Sequence, residues 1–416
     1  MVRFRLFKLA AWLTAATGVL WGQGSEYPAV KFRSNYLSSY YLSHAPNTTP
    51  WSPSWSPDGK WIAVAMQGSI WKVDPQTGVA HELTYNAKLH SSPAWSPDGK
   101  WIAYTADDHW NTIQLEIVNV ETGEIRRLTN DKQVYVDPVF SPDGKKLAYV
   151  TTQPNGLLNI HARPIQNGDW SGPAMAVTTD NDFGRPRQYF SNWDFHTQPA
   201  WTKDGSGMLL VSNRGVALGS GKLWSVPLQE NAMRQAKVVL DEQTLYRTKP
   251  DVSPDGKRVI YSSTGGASDQ YNHLYLLATE GGQPYKLTFG DFDDFHPRWS
   301  PDGDWVAYIS NDGGRPQLCV LDMAGGGKKV VAIRERRWKR PMGKVRVSIR
   351  DGRTGKPTAV RITGQASDGK LYAPPETDVF NARMATGLQR IFFINGGYTV
   401  DAPPGKLVIE AHKGFE

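Results

Sequence analysis

The residues best suited to acid–base or metal chemistry are nine histidines, and they are scattered along the chain. None lies three or four residues from another, so the H-E-x-x-H spacing that places two zinc ligands on one helix face is absent. The nucleophile elbow G-x-S-x-G and the phosphate-binding P-loop are absent as well. Three aspartates in GDFDDF (290–295) lack the spacing of a calcium loop, which favours an acidic turn. The sequence therefore predicts no catalytic residue, no metal site and no cofactor.

A single cysteine, Cys319, excludes an intramolecular disulfide, a multi-cysteine zinc site and an iron–sulfur cluster. A cysteine nucleophile is the remaining alternative for this side chain. However, Cys319 lies within the apolar run QLCVLDM (317–323), a pattern typical of a buried strand. We predict a buried structural residue.

Polar side chains recur at a fixed distance before a repeated Asp-Gly pair. Six residues before each repeat aspartate stands a polar residue: Ser52, Ser92, Asp137, Gln198, Lys249 and His296. Two positions earlier stand His90, Tyr135, His196, Arg247 and Asp294. Mixed charges and aromatic rings of this kind suit recognition of a peptide or carbohydrate better than binding of phosphate. Whether these side chains lie close together depends on the strands and turns in which they are placed.

The Asp-Gly pair belongs to a unit that occurs six times, at intervals of 40, 45, 61, 51 and 47 residues. The copies read PSWSPDG, PAWSPDG, PVFSPDG, PAWTKDG, PDVSPDG and PRWSPDG. Proline sets φ for the first central position of a turn, aspartate closes the turn with its side chain, and glycine supplies the positive φ. Each signature is therefore a hairpin connection, preceded by an aromatic residue that points into the core. Strand-like segments such as KWIAVA, SIWKVD and HELT follow.

Four strands per copy cannot bury both of their faces alone, and radial stacking of the copies solves this in a β-propeller. Over roughly residues 50–335 the sequence resembles the TolB-like, WD40-like β-propeller family. We predict an all-β chain with a six-bladed propeller. Copy four departs from the signature, because Thr202-Lys203 replaces Ser-Pro and an insertion (179–195) precedes it, but we count it as a blade. The sixth copy has four strands of its own, so closure needs no strand from the N-terminus.

The innermost strands of a propeller line its central channel. The polar residues listed above should therefore converge around the channel mouth, as a binding site for a protein, peptide or glycan. The alternative is that strand ends beside a water-filled channel are polar without a specific ligand.

The C-terminal part changes character after the sixth copy. A basic stretch, RERRWKRPMG (334–343), is either a patch for anionic surfaces or, as we favour, a solvated linker or edge strand; the linker is placed at 336–343. Short alternating strands then predict a small β-sandwich over 344–416. This part is similar to carboxypeptidase-regulatory or transthyretin-like modules, above all in GGYTVDAPPGKLVIEAHKG (396–414).

The N-terminus has the features of an export signal. A basic start, MVRFRLFK, precedes a 13-residue apolar run, and the small residues Gly22 and Gly24 follow it. The run is shorter than the roughly 20 residues that span a bilayer. We expect a signal peptide at 1–24, a lead segment at 25–49, no transmembrane segment after cleavage, and a periplasmic or secreted protein. Removal of Arg3, Arg5 and Lys8 lowers the net charge from +7 to +7 − 3 = +4, which requires no nucleic-acid partner.

The order of the two parts supports two hypotheses of function. In the first, an exported propeller is a non-catalytic binding module with the sandwich as a spacer. In the second, both parts are access or docking domains of a hydrolase, because a secreted propeller followed by such a sandwich resembles the N-terminal part of CehA/McbA-type metallohydrolases. That resemblance implies a metal-binding hydrolase domain after the sandwich. It supplies no catalytic residue within these 416 residues.

Overall fold

The computed structural model describes residues 47–108, 112–182, 193–216, 221–242, 247–265, 269–384 and 387–414. These ranges are nearly all strand, arranged in small antiparallel sheets, with one short 3₁₀ helix at Ala232–Gln235. The all-β prediction is confirmed. The predicted signal peptide, and residues 25–46 of the lead segment, lie outside the described residues.

The repeat signature forms the hairpin turn that its residues predict. In the first copy Ser56 Oγ donates to Asp58 Oδ1 at 2.6 Å, and Trp61 N donates to Ser56 Oγ at 3.0 Å. The Gly59 amide returns to the Ser56 carbonyl at 2.9 Å with a φ of +69°. This positive φ is the reason that glycine occupies the position. Because Ser56 stabilises the charged form, the pKa of Asp58 lies below its ordinary value.

The first three blades follow from the first three copies, each with its strands in sequence order from the channel outwards. Blade 1 contains β1–β4, blade 2 contains β5–β8, and blade 3 contains β9–β13, in which β12 and β13 both pair with β11. The strands are β1 (Trp51–Trp55), β2 (Ile62–Met66), β3 (Ser69–Val73), β4 (Val79–Glu82), β5 (Leu89–Trp95), β6 (Trp101–Asp107), β7 (Ile113–Asn119), β8 (Ile125–Arg127), β9 (Tyr135–Phe140), β10 (Lys146–Thr151), β11 (Asn159–Gln166), β12 (Asp169–Trp170) and β13 (Met175–Ala176).

The other three blades are four-stranded sheets in the same order. Copy four is a blade, as predicted, and its turn keeps the hydrogen bond from Thr202 Oγ1 to Asp204 Oδ1 at 2.7 Å. The strands are β14 (His196–Trp201), β15 (Gly207–Ser212), β16 (Lys222–Pro227), β17 (Lys237–Leu240), β18 (Arg247–Val252), β19 (Arg258–Ser263), β20 (His273–Ala278), β21 (Tyr285–Lys286), β22 (Asp294–Trp299), β23 (Trp305–Ser310), β24 (Gln317–Asp322) and β25 (Lys328–Val330).

Hydrophobic clusters between neighbouring blades form the core of the propeller. One cluster joins Trp51 and Ile62 of blade 1 to Ile309 and Leu318 of blade 6, which closes the ring. The four strands of blade 6 all come from the sixth copy, as predicted. Cys319 is buried in β24, also as predicted, and burial raises the pKa of its thiol to about 12.

The basic stretch after blade 6 returns to blade 1. Its residues form β26 (Glu335–Arg337), which pairs in parallel with β4 as a fifth, outermost strand. The segment expected as a linker from residue 336 therefore begins inside a strand. Glu335–Arg337 form an edge strand, which is one of the two forms that we favoured for this stretch. The strand pairs here because the outer edge of β4 has backbone N–H and C=O groups without a partner in blade 1.

The C-terminal part consists of two antiparallel sheets around a core of its own. Rings from the two sheets meet where Phe392 and Tyr398 contact edge to face, with centroids 5.4 Å apart. These sheets lie in the part of the chain for which a small sandwich was predicted. One sheet pairs β27 with β31, and the other has the order β29-β30-β28-β32. The strands are β27 (Gly343–Ser348), β28 (Ala359–Gln365), β29 (Phe380–Met384), β30 (Gly387–Asn395), β31 (Gly397–Ala402) and β32 (Val408–His412).

A buried group of charges joins the sandwich to blade 1. Arg340 Nη1 donates to Glu82 Oε1 at 2.6 Å, and the Arg340 guanidinium lies 3.6 Å from the ring centroid of Tyr85. Lys370 Nζ donates to the Gly68 carbonyl at 2.9 Å. Because Lys370 is 2% exposed, burial lowers its pKa to about 8. We call Glu82, Arg340, Asp368 and Lys370 the junction cluster.

Candidate functional site

The six polar residues that precede the repeat aspartates share one backbone conformation. Each lies at a register shift between the first two strands of its blade. Their φ angles are positive: Ser52 +50°, Ser92 +48°, Asp137 +51°, Gln198 +53°, Lys249 +26° and His296 +54°. Non-glycine residues take this region rarely and at a cost of about 1–3 kcal/mol. Such bulges re-aim a side chain, here at every innermost strand.

Three of these residues meet across the channel. Lys249 of blade 5 lies opposite blade 2, yet its Nζ is 3.1 Å from Ser92 Oγ and 3.0 Å from Asp137 Oδ1. Ser92 Oγ also donates to Asp137 Oδ1 at 2.9 Å. Exposure of the lysine and aspartate side chains is 11% and 23%, so the pair still contacts solvent. We call Ser92, Asp137 and Lys249 the floor cluster.

Electrostatics hold the floor cluster in its charged state. Burial alone would raise the pKa of Asp137, but the Lys249 ammonium and the two hydrogen bonds bring it below its ordinary value. Burial lowers the pKa of Lys249, Asp137 opposes this effect, and Arg298 adds to it. An ion pair of this kind is strong only where a second group satisfies each charge, as Ser92 does here.

We call the six polar residues with this positive φ the ring residues. The three outside the floor cluster are Ser52, Gln198 and His296, and they make contacts between neighbouring blades. Gln198 Oε1 accepts a hydrogen bond from the Lys249 backbone N–H at 2.8 Å. His296 Nδ1 lies 3.3 Å from Ser52 Oγ, and its ring meets Trp51 edge to face at 6.0 Å. Contacts therefore join Asp137, Lys249 and Gln198 in one group, and His296 contacts Ser52 and Trp51 between blades 6 and 1.

The residues two positions earlier occupy a different environment, so their predicted convergence at the mouth is corrected. His90 and His196 are fully buried; His90 Nδ1 lies 2.6 Å from Thr84 Oγ1, and His196 Nδ1 lies 3.0 Å from Ser212 Oγ. Burial lowers the pKa of His196 to about 4. A regular strand would place residues two apart on one face, but the bulge breaks this alternation.

The same correction applies to Tyr135 and Asp294. Tyr135 is 4% exposed and donates to Asp131 Oδ2 at 2.7 Å. Asp294 is fully buried, which raises its pKa to about 6. The side chain of Arg247 lies outside the described part of the structure, although β18 begins at this residue.

A cavity of about 350 Å³ opens above the floor cluster, on the side of the S-P-D-G turns. All six blades contribute to it, and Lys249 is the ring residue that lines it. Nine prolines and five aromatic residues form most of the wall, among them Pro53, Pro97, Trp95 and Trp299. Its size is within the range of ligand pockets, roughly 300–1,000 Å³. We call this cavity the funnel.

Charged residues at other repeat positions line the funnel, and the sequence reasoning missed them. Arg298 Nη1 donates to the Lys249 carbonyl at 3.1 Å, and Asp251 Oδ2 accepts from Trp299 N at 2.8 Å. Lys203 lies exposed at the rim, where five copies carry proline. Comparison of the copies column by column finds them, because Arg298 and Asp251 stand four residues before their repeat aspartates.

In the part of the chain that the structure describes, no three His, Cys, Asp or Glu side chains group in a way that could hold a metal ion. In the acidic turn, Asp293 accepts a hydrogen bond from the backbone N–H of Asn272 at 2.8 Å and another from the side-chain amide of Asn311 at 3.3 Å. The described residues include no helix with the length and apolar character to cross a bilayer.

Comparisons with known proteins support the propeller. Residues 41–182 match the TolB beta propeller domain, PD40. The propeller is TolB-like. Two curated relatives are the uncharacterized peptidase YuxL of Bacillus subtilis (35% identical over 83 residues, 19% of this chain and 13% of YuxL) and the Tol-Pal system protein TolB of Mannheimia succiniciproducens (36% over 72 residues, 14% of this chain and 17% of that TolB). The chain thus spans less than a fifth of either relative.

A solved structure supports the fold over a longer stretch. The crystal structure of the tricorn protease superposes with a TM-score of 0.53, over 83% of this chain and 31% of that protein, at 18% identity. Identity at this level shows likeness of fold alone.

Proposed function

We propose that the TolB-like propeller is a binding module and that its funnel holds a segment of a protein partner. The observation that carries this proposal is the funnel itself: a cavity of about 350 Å³ to which every blade contributes and whose floor is a charged cluster in contact with solvent. In this proposal Asp137, Gln198, Lys249 and His296 form the ring below the ligand. His90, Tyr135, His196 and Asp294 support the blades.

A polypeptide suits the wall of the funnel better than a glycan does. Sugars stack on exposed aromatic faces, whereas three of the five aromatic residues of the wall, Trp95, Trp201 and Trp299, are only 9%, 6% and 6% exposed. The other two, Trp55 and Phe140, are half-buried. The Arg258 guanidinium also lies 5.2 Å from the Trp299 ring centroid. Proline rings present rigid apolar surface without a backbone donor, which suits contact with apolar peptide side chains.

Photo-crosslinking from the funnel tests this function. A benzophenone amino acid replaces Lys203 at the rim, and the control replaces Lys257, which is also exposed, on the turn of blade 5, but does not line the funnel. In extracts of the host type, we expect the residue 203 probe to capture one or a few proteins through a defined peptide, identified by mass spectrometry. Identical adducts from both probes would contradict a specific site.

We also propose that the chain acts outside the cytoplasm, as its first 24 residues suggest. The expected mature N-terminus lies near Ser25. Mass spectrometry of protein from the host type tests this, and an intact Met1 in the cytoplasmic fraction would contradict it.

The alternative proposal assigns propeller and sandwich to a larger hydrolase of the CehA/McbA type, as docking domains. The junction cluster favours it, because it fixes the sandwich against blade 1 and so holds whatever follows the sandwich in a set orientation. The reading frame beyond codon 416 tests it: an open frame into a histidine-rich domain supports a hydrolase, and a stop codon supports a free-standing binding module.

A further inference from the structure

The funnel is blind at its inner end. The Lys249 side chain spans the channel from blade 5 to Ser92 of blade 2 and Asp137 of blade 3. A polypeptide that threaded through the channel would have to break these contacts and desolvate both charges, which costs several kcal/mol. A ligand that enters from the S-P-D-G side therefore stops at the floor cluster, and the funnel admits a tip rather than a continuous strand.

The charges that a tip would meet are unequal. Lys249 and Asp137 neutralise each other at 3.0 Å. Above them the funnel is lined by Arg298 and Lys203, against one carboxylate, Asp251. Asp251 is engaged by the Trp299 amide, and burial raises its pKa above the ordinary value although Arg298 opposes this. The funnel therefore carries a net positive charge at neutral pH.

Arg298 retains hydrogen-bonding capacity. Its Nη1 donates to the carbonyls of Lys249 and Pro297, at 3.1 and 2.8 Å. Within the described ranges, Nε and Nη2 have no hydrogen-bond acceptor, and neither atom is among those sealed from solvent. These backbone contacts fix the guanidinium plane and leave one edge for a ligand. An edge of two N–H donors matches the two oxygens of a carboxylate.

We propose, on the basis of the proposed function, that the funnel recognises the carboxyl terminus of a polypeptide and that Arg298 pairs with its free α-carboxylate. The chain end satisfies the blind geometry, and its negative charge complements Arg298 and Lys203. Apolar side chains of the last residues contact the proline-rich wall. An amino terminus would instead bring a further cation into the funnel, which already has Lys203, Lys249 and Arg298.

Two display libraries of random heptapeptides test this proposal on the full chain. One library presents a free carboxyl terminus, and the other presents a free amino terminus with its carboxyl end fused to the carrier. We expect enrichment from the first library only. Enrichment from the second alone, or equal enrichment from both, would overturn the carboxylate proposal and leave the binding module standing. No enrichment from either would contradict the proposed function itself.

The best peptide is then synthesised as the free acid and as the C-terminal amide. We expect the acid to bind wild-type protein about tenfold or more tightly than the amide. Arg298→Gln should abolish this preference, Arg298→Lys should restore part of it, and Lys257→Gln should leave it unchanged. Equal affinity of acid and amide for wild-type protein overturns the inference even if Arg298→Gln fails to fold.

Discussion

Lys249 in the propeller channel and Lys370 at the junction with the sandwich are both largely withdrawn from solvent. Burial lowers the pKa of both side chains, and each lies near a carboxylate and an arginine. The difference is access. The Lys249 side chain is 11% exposed and lines a cavity of about 350 Å³, whereas Lys370 is 2% exposed and donates to the Gly68 carbonyl.

This difference separates a site from a structural contact. At the junction, every charge was desolvated when the sandwich packed against blade 1, so its partners are fixed and removal of one leaves the other unpaired. In the channel, Lys249 lines an open cavity, so a ligand can approach its charge. Shifted pKa values alone do not distinguish the two cases.

The largest expected effect is at the junction. Arg340→Ala removes the ion-pair partner of the buried Glu82 and leaves it hydrogen bonds from Ser69 Oγ and Lys339 N; the Arg340 and Glu82 side chains are 7% and 0% exposed. We expect a loss of about 3–5 kcal/mol in the free energy of unfolding, measured by denaturant titration. The control Arg337→Ala removes an exposed pair with Glu335 and should cost less than about 1 kcal/mol. Equal losses in the two variants would remove the basis of the comparison.

The pH dependence of stability sharpens the contrast. The pKa of Lys370 is about 8 in the folded chain against an ordinary value of 10.5, so between these pH values the unfolded chain binds more protons. Stability therefore rises as pH increases from about 8 to 10.5, by at most about 3 kcal/mol, and the penalty is constant below pH 8. Lys370→Met should lack this rise. Parallel pH curves for wild type and variant would contradict it.

Substitution of the glycines in the turns beside the funnel wall should cause an intermediate loss of stability. Gly99 and Gly205 have φ angles of +75° and +69°. Substitution of either by valine should cost about 1–3 kcal/mol, because a β-branched residue is strained there. Gly352→Val is the control, since no atom lies within 4 Å of an added Cβ and its φ is not in the positive region. A lower melting temperature for Gly99→Val but not for Gly205→Val would argue against equivalent turns in blades 2 and 4.

The smallest effect on stability is expected in the channel. The double variant Lys249→Met, Asp137→Asn removes both charges of the floor cluster together, so neither is left unpaired. We expect the free energy of unfolding to change by about 1 kcal/mol or less, while crosslinking from residue 203 is altered. A loss as large as that of Arg340→Ala would make the floor cluster a second structural contact.

Local rules explain how much of the fold was predictable. Six copies of one signature, each with its own proline, aspartate and glycine, specify hairpins through contacts within a few residues, as between Ser56 and Asp58. Blade number, the identity of the fourth blade and the burial of Cys319 follow from these rules and from apolar patterning. Strand β26 did not follow, because its partner β4 lies more than 250 residues away in sequence.

The position of the site residues shows where local rules end. The sequence by itself determined that Asp137, Gln198, Lys249 and His296 occupy equivalent positions of their innermost strands, because they have equal offsets within the repeat. Only the tertiary structure decided which side chains face the channel. A bulge at each of these residues interrupts the two-residue alternation, so His90 and His196 turn into the blades, while Arg298 and Asp251 line the funnel. In each blade, the positive φ of one residue at the bulge decides which side chains of the innermost strand face the channel, and a two-residue sequence pattern does not report this angle.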